Sequence, residues 1–175
     1  MNVKRLIKLL LRFILKPLSF IPAILMMYVI FSFSAQDGTT SSNLSYNVSY
    51  KAVSIADRAL DLELTDAQIA RCIRKIHFYV RKTAHFTEYF LLAITIAFPL
   101  YVYGIRGIWL IIAGGILCTG YASFDELHQY FVSGRSSSVR DVIIDSCGSF
   151  VGIVSVRIFG YIGRKTIFEP LSTRR

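Results

Sequence analysis

Hydrophobic residues along the chain are grouped into four runs, each of which approaches the length needed to cross a bilayer. A membrane-spanning helix needs about 20 mostly apolar residues to cross roughly 30 Å of hydrocarbon. The third run is short until residues after Phe124 are included, so its polar end, Asp125–Gln129, is predicted to lie at the membrane interface. The pattern predicts an all-α, polytopic membrane protein that forms a four-helix bundle in a single domain. The predicted spans are residues 17–33, 84–103, 108–127 and 142–161 of the domain 1–175.

The segment between the first two runs, residues 34–83, is predicted to be a helical loop outside the membrane. Its first part, Ser34–Ser49, is rich in Ser, Thr, Asn and Gly, which is typical of a loop. Apolar residues in Tyr50–Leu64 have the spacing of an amphipathic surface helix. Thr65-x-x-Gln68 has the pattern of a capping box and predicts a further helix that runs unbroken into the second span.

Composition agrees with a membrane protein, since 54% of the residues are hydrophobic, 18% are charged and the mean hydropathy is +0.51. The net charge of +9 raises the question of a nucleic-acid partner. However, the excess lies in Met1–Lys16, in the short Gly104–Gly107 turn and after the fourth span. Basic residues at alternate ends of spans follow the positive-inside rule. We therefore expect a multi-pass protein of the cell membrane with both termini cytoplasmic, the lipid bilayer as a partner, and no nucleic acid.

One basic run, Arg71–Lys82, lies on the side predicted to be outside. Charge in a loop of this length is a weaker signal for topology, so the orientation stands. Two interpretations of the run stay open. It is either a surface that faces lipid headgroups or a rim that collects an anionic substrate.

Polar residues form three stripes at the ends of the apolar runs. Residues three or four apart share one face of a helix, and alternation of the spans brings all three stripes to the same membrane face. An ionisable group near hydrocarbon costs roughly 2.5–3.5 kcal/mol unless it is paired or hydrated. The stripes are Arg81, His85 and Glu88; Asp125, His128 and Gln129; and Asp141, Asp145 and Ser149.

Several of these residues also have a purely structural interpretation. His85 is the type of residue that hydrogen-bonds between spans. Asp141 is placed to cap the fourth helix and to interact with its dipole. Arg135 and Arg140 are either ordinary loop charges or partners for the acids. Asp145 lies one helical turn further into the predicted span than Asp141, so capping does not account for it. The convergence of all these charged groups exceeds what helix packing requires.

Two chemistries fit such a cluster. Nitrogen and oxygen side chains suit a divalent metal, so a metal is a candidate cofactor of unassigned identity. Alternatively, desolvated carboxylates act as acid and base beside an anion held by arginines. No HExxH, GxSxG or Walker A motif selects a reaction. The candidate metal ligands are His85, Glu88, Asp125, His128, Asp141 and Asp145; the candidate catalytic residues are Glu88, Asp125 and His128; and the candidate binding residues are Arg81, Lys82, His85, Glu126, Gln129, Arg135, Arg140, Asp141 and Asp145.

Three sequence blocks cover most of the chain from the end of the first span through the fourth. They are SFSAQDGTTSSNLS at 32–45, RKTAHFTEY at 81–89 and DELHQYFVSGRSSSVRDVIIDSCGSFVG at 125–152. In these blocks the chain resembles the VanZ-like family of bacterial membrane proteins. The resemblance implies a link to reduced susceptibility to lipoglycopeptides such as teicoplanin, without a change in the cell-wall precursor. Ser133 departs from the proline that relatives often carry, which changes loop stiffness more than chemistry.

The leading hypothesis is a cell-envelope protein that binds or modifies an amphiphilic anionic molecule at the outer leaflet. A lipid headgroup, an undecaprenyl-linked precursor or a lipoglycopeptide would fit a polar pocket with an apolar flank. One alternative is a membrane-embedded enzyme, metal-dependent or acid/base, that acts on a lipid-linked substrate. Another is a structural or partner subunit of an envelope complex. A transporter or channel is less favoured, because the ionisable groups gather at one face and do not continue to the midplane.

Overall fold

The chain folds into five helices in the computed structural model, which describes residues 17–166 and their side chains as far as Ile162. No strand occurs in that part of the chain, so the all-α prediction is confirmed. The helices are α1 (Ile21–Ser34), α2 (Gly38–Leu60), α3 (Asp66–Val102), α4 (Ile108–Tyr130) and α5 (Val139–Thr166).

Three of the helices, α3, α4 and α5, are long and apolar enough to cross a membrane. Helix α1 has only 14 residues, fewer than the roughly 20 that a complete span requires. Helix α1 counts as a candidate span only together with α2, and the two helices are bent by 105° relative to each other. The predicted helical membrane bundle is confirmed with three spans, or four if the bent pair counts as one. The basic side chains of residues 1–16 and 163–175 lie outside the described residues, so the orientation of the termini stays a prediction.

Helix α2 begins earlier than predicted, and the assignment of Ser34–Ser49 to a loop is wrong from Gly38 onward. Asp37 caps the helix by accepting a hydrogen bond from the Thr40 N–H at 2.8 Å. Hydrogen bonds from Thr39 and Thr40 hold the pKa of this exposed carboxyl well below its usual range. Inside the helix, serine hydroxyls donate to backbone carbonyls one turn earlier, so these side chains do not compete with the helix.

Helix α3 confirms the prediction of one unbroken helix from the outer segment into the second span. The Thr65 N–H donates to Oε1 of Gln68 at 2.8 Å, as a capping box requires. The helix then continues for 37 residues to Val102. Its N-terminal half packs against α2, and its C-terminal half packs against α5 and α4.

Helices α3 and α5 approach each other at two glycines of α5. A Cβ atom added to Gly148 would lie 2.3 Å from the carbonyl oxygen of Phe86, and one added to Gly152 would lie 2.5 Å from that of Phe90. Small residues at four-residue spacing let the two backbones touch. The contacts run in the same direction along both helices, so α3 and α5 are parallel and in register.

A second close contact joins the corner between α1 and α2 to the loop between α4 and α5. The Gly38 N–H donates to the carbonyl oxygen of Ser133 at 3.0 Å. A Cβ at Gly38 would lie 1.8 Å from the carbonyl oxygen of Gly134, which itself has a φ of +70°. Only glycine fits at Gly38, and Gly134 takes a conformation that other residues rarely adopt. This contact fixes the bent pair against the rest of the bundle.

The substitution Gly148→Ala is expected to destabilise the protein by about 1–3 kcal/mol, because the added methyl group overlaps a backbone oxygen that cannot rotate away. Gly120→Ala in α4 is the matched control, since nothing lies within 4 Å of a Cβ there. Fluorescence-detected size-exclusion chromatography after a temperature series measures both variants in detergent. Equal melting temperatures for the two variants would contradict the close α3–α5 contact.

Candidate functional site

The polar stripes that begin at Arg81 on α3 and at Asp141 on α5 face each other. Their alignment is set by the close contacts at Gly148 and Gly152. Lys82 forms an ion pair with Asp141 across the helix interface. One turn further, Nδ1 of His85 lies 3.9 Å from Oδ1 of Asp145, which is beyond hydrogen-bond distance. The Asp145 side chain is wholly buried, and within the described part of the chain neither of its oxygens accepts a hydrogen bond.

Asp125 and Gln129 connect α4 to α1. The Ser34 hydroxyl donates to Oδ2 of Asp125 at 2.9 Å. The Gln129 amide donates to the same Oδ2 at 3.1 Å and to the Ser34 hydroxyl at 3.0 Å. All three side chains are buried, so this network holds two helices together. His128 lies at the same seam, with its ring 4.6 Å from that of Phe31 between centroids.

Glu126 secures the start of α5. Its Oε2 accepts a hydrogen bond from the Ser138 N–H at 2.8 Å, and the residue is buried. A carboxylate that accepts from an N–H just before a helix satisfies a donor that the helix itself cannot pair. Glu126 therefore orders the end of the α4–α5 loop.

A small polar cavity of about 90 Å³ lies between the α1–α2 corner, α3 and the α4–α5 loop. Its charged and titratable lining consists of Arg81, His85, Glu88 and Arg135. Among the residues that the structure describes, neither guanidinium has a carboxylate oxygen within 4.0 Å. The two arginines outnumber Glu88, the one carboxylate of the lining, so the local field is positive on balance and suits an anion.

Arg135 also holds the corner in place. Its Nε donates to the carbonyl oxygen of Gln36 at 3.0 Å, and its Nη2 donates to that of Phe33 at 2.6 Å. These two bonds use only part of the donors of the guanidinium, and the side chain still lines the cavity. Burial lowers the pKa of Arg135, although arginine stays protonated in proteins.

An apolar groove of about 630 Å³ runs between α2 and α3 beside the polar cavity. The two spaces share Leu44, Ser45, Ala84 and Glu88 in their linings. Glu88 therefore stands where the polar cavity meets the groove. The rest of the groove is mostly aliphatic or aromatic, and includes Val48, Ile76, Tyr79, Val80 and Leu91.

The structure thus divides the predicted cluster. Arg81, His85, Glu88 and Arg135 share the cavity, whereas Arg140 is exposed and does not line it. Lys82 and Asp141 pair with each other. On α4, Asp125, Glu126 and Gln129 form hydrogen bonds and do not line the cavity, and His128 packs against Phe31. Over residues 17–162, no three His, Cys, Asp or Glu side chains converge in a way that could hold a metal ion. The geometry therefore favours the anion hypothesis over the metal hypothesis.

Sequence reasoning missed Ser34, Gly38 and Gly134 as parts of this region. Ser34 and Gly38 lie in the first sequence block quoted above, but their types and spacing carry no chemical signal. The Ser34 hydroxyl donates to Asp125, which lies 91 residues further along the chain. Only the folded chain brings these positions together.

Comparison with known proteins identifies one family. A family model described as VanZ/LLP1 matches residues 19–160, which is most of the chain. A search of curated proteins and a search of solved structures found no significant match.

Removal of one partner from the Lys82–Asp141 pair is expected to cost more than removal of both, because a part-buried charge is left without its partner. We expect a coupling free energy of about 1–3 kcal/mol from the variants Lys82→Met, Asp141→Asn and the double variant. Thermal melting of the four proteins in detergent measures it. Additive effects of the single variants would show that this pair does not hold the two stripes together.

Proposed function

Because this multi-pass membrane protein belongs to the VanZ/LLP1 family, we propose that it binds an amphiphilic anionic molecule of the cell envelope at the outer leaflet. The observation that carries the proposal is a polar cavity that adjoins an apolar groove and holds two arginines without an ion-pair partner among the described residues. A ligand that fills both spaces has an anionic head and a hydrocarbon chain.

The head of the ligand lies in the polar cavity, between Arg81 and Arg135. Guanidinium groups bind phosphate and carboxylate oxygens through short, charge-assisted hydrogen bonds. Desolvation inside the cavity strengthens such contacts relative to the protein surface. Arg81 has no carboxylate partner in the described part of the chain, so an incoming anion displaces no ion pair there.

The chain of the ligand lies along the groove between α2 and α3. Burial of hydrocarbon contributes about 0.8 kcal/mol for each CH₂ group, and the groove walls provide aliphatic side chains for it. Leu44 and Ala84 line both spaces, together with Ser45 and Glu88, so the two spaces adjoin and one molecule can occupy both.

The assignment to the outer leaflet follows from the positive-inside pattern of the sequence. With both termini in the cytoplasm, the ends of α3 and α5 that carry the cavity face outward. The basic residues Arg71, Arg74 and Lys75 lie on the same exposed segment of α3, which supports a role in attracting anionic headgroups.

Replacement of Arg81 is expected to weaken ligand binding. Arg81→Gln removes a charge from the cavity without disturbing the bonds that Arg135 makes to the corner, so a short-chain anionic lipid should bind about tenfold more weakly. Arg140→Gln is the matched control, because Arg140 is a nearby exposed arginine outside the cavity. Isothermal titration of the full chain in phosphatidylcholine nanodiscs measures both. A loss of equal size in both variants would mean that the effect is general surface charge.

The same variants test the family's link to lipoglycopeptides in cells. In a strain that lacks the gene, we expect the wild-type chain and Arg140→Gln to lower teicoplanin susceptibility and to leave vancomycin susceptibility unchanged. Arg81→Gln should not protect, because the lipid-bearing drug or its lipid target would no longer be held. Broth-dilution susceptibility with equal protein levels checks this. Identical susceptibility of all strains, the empty vector included, would reject the link for this chain.

A further inference from the structure

Asp145 stands apart among the buried carboxylates of the described residues, because neither of its oxygens has a hydrogen bond. Asp125, Glu126 and Asp141 each have a hydrogen-bond or ion-pair partner. Asp145 has a relative exposure of 0%, and both of its oxygens lack a hydrogen bond among the described residues. An unpaired ionised carboxylate in such a place is very costly, whereas a neutral carboxylic acid is much less so. The group that its Oδ1 faces is His85, at 3.9 Å.

His85 connects Asp145 to the cavity. Its ring lines the cavity, and its Nδ1 is buried and also lacks a hydrogen-bond partner in the described part of the chain. His85 therefore lies beside Asp145 and also lines the cavity that the two arginines share. The other charged and titratable groups near this pair are Arg81, Lys82, Glu88 and Tyr89 on α3, Asp125 and Glu126 on α4, Arg135 in the loop and Asp141 on α5.

We infer that His85 and Asp145 share one proton and that this proton equips the cavity to recognise a phosphomonoester headgroup; the inference rests on the proposed function. In the empty site, Asp145 carries the proton and His85 is neutral. When the headgroup enters, the His85 ring moves from 3.9 Å to within hydrogen-bond distance of Asp145, and the proton leaves Oδ1 of Asp145 and binds Nδ1 of His85. The Nε2–H of the resulting imidazolium donates to the headgroup, and the carboxylate pairs with the imidazolium. No other bond changes, and no proton is taken up or lost.

The preference for a phosphomonoester follows from the number of donors and the charge. A phosphomonoester carries about −1.5 to −2 charges near neutral pH and has three terminal oxygens. The cavity offers three cationic donors when His85 is protonated, namely Arg81, Arg135 and His85. A phosphodiester carries a single negative charge and has one terminal oxygen fewer than a monoester. The two arginines are therefore sufficient to bind it. The proton held by the pair therefore favours the monoester.

The first experiment compares two short-chain lipids, phosphatidic acid as the monoester and phosphatidylglycerol as the diester. Each is titrated into the full chain in phosphatidylcholine nanodiscs. We expect wild type to bind the monoester about tenfold more tightly, since a hydrogen bond between charged groups contributes about that factor. Asp145→Asn and His85→Gln should reduce the ratio to about twofold or less. Ser149→Ala, a buried change one turn further along α5, should preserve it.

The outcomes separate the two proposals. Binding of neither lipid by wild type would reject the proposed function and this inference together. Equal binding of both lipids, or a preference that survives in both variants, would reject only this inference. If Asp145→Asn does not fold, His85→Gln gives the same test. Inorganic phosphate as a competitor separates headgroup from lipid, and competition as effective as that of phosphatidic acid would reject the role of the groove.

A spectroscopic readout distinguishes proton transfer from a structural role. Infrared difference spectra should show the loss of the carbonyl stretch of a protonated carboxyl group when phosphatidic acid binds. The signal should be missing from Asp145→Asn and should not appear with phosphatidylglycerol. A difference spectrum of wild type without that loss would overturn the proton transfer, even if the lipid preference were observed.

Discussion

The approach of α3 and α5 at Gly148 and Gly152 is the constraint on which the candidate site depends. Because the two helices are parallel and their backbones touch at these glycines, one register fixes every cross-helix pair. This register accounts for three contacts between the helices: the Lys82–Asp141 ion pair, the approach of His85 to Asp145, and the hydrogen bond from Tyr101 to the Gly160 carbonyl. A shift of one helix turn would change the partner of each of these groups.

A second constraint closes the cavity from the side. The bent pair α1–α2 is pinned to the α4–α5 loop through Gly38, which leaves no room for a side chain, and through Arg135. Arg135 thereby has two roles, because the same guanidinium orders the corner and faces the cavity. Binding of an anion and order in the corner are therefore coupled through one side chain. A ligand that engages Arg135 stabilises the corner that encloses it.

Hydropathy and helical periodicity were sufficient to predict the membrane bundle, the capping box at Thr65 and the meeting of the stripes on α3 and α5. They failed for Gly38–Ser49, because serine-rich composition resembles a loop even where each hydroxyl bonds within its own helix. They also could not divide the polar cluster. Asp125 and Glu88 look equivalent in sequence, yet Asp125 bonds to Ser34 and Glu88 lines the cavity. That difference depends on contacts between distant segments.

The polar residues of the predicted cluster differ in whether they have hydrogen-bond or ion-pair partners. A buried polar group that has a partner costs the fold less than one that has none, and Asp125, Glu126 and Asp141 each have a hydrogen-bond or ion-pair partner for one oxygen. A polar group without partners raises the free energy of the fold, unless a ligand or a proton supplies what is missing. Asp145 is of the second kind, and His85 lies next to it. Function in this bundle is therefore best sought where the packing leaves a charge unsatisfied, since selection for stability alone would have removed it.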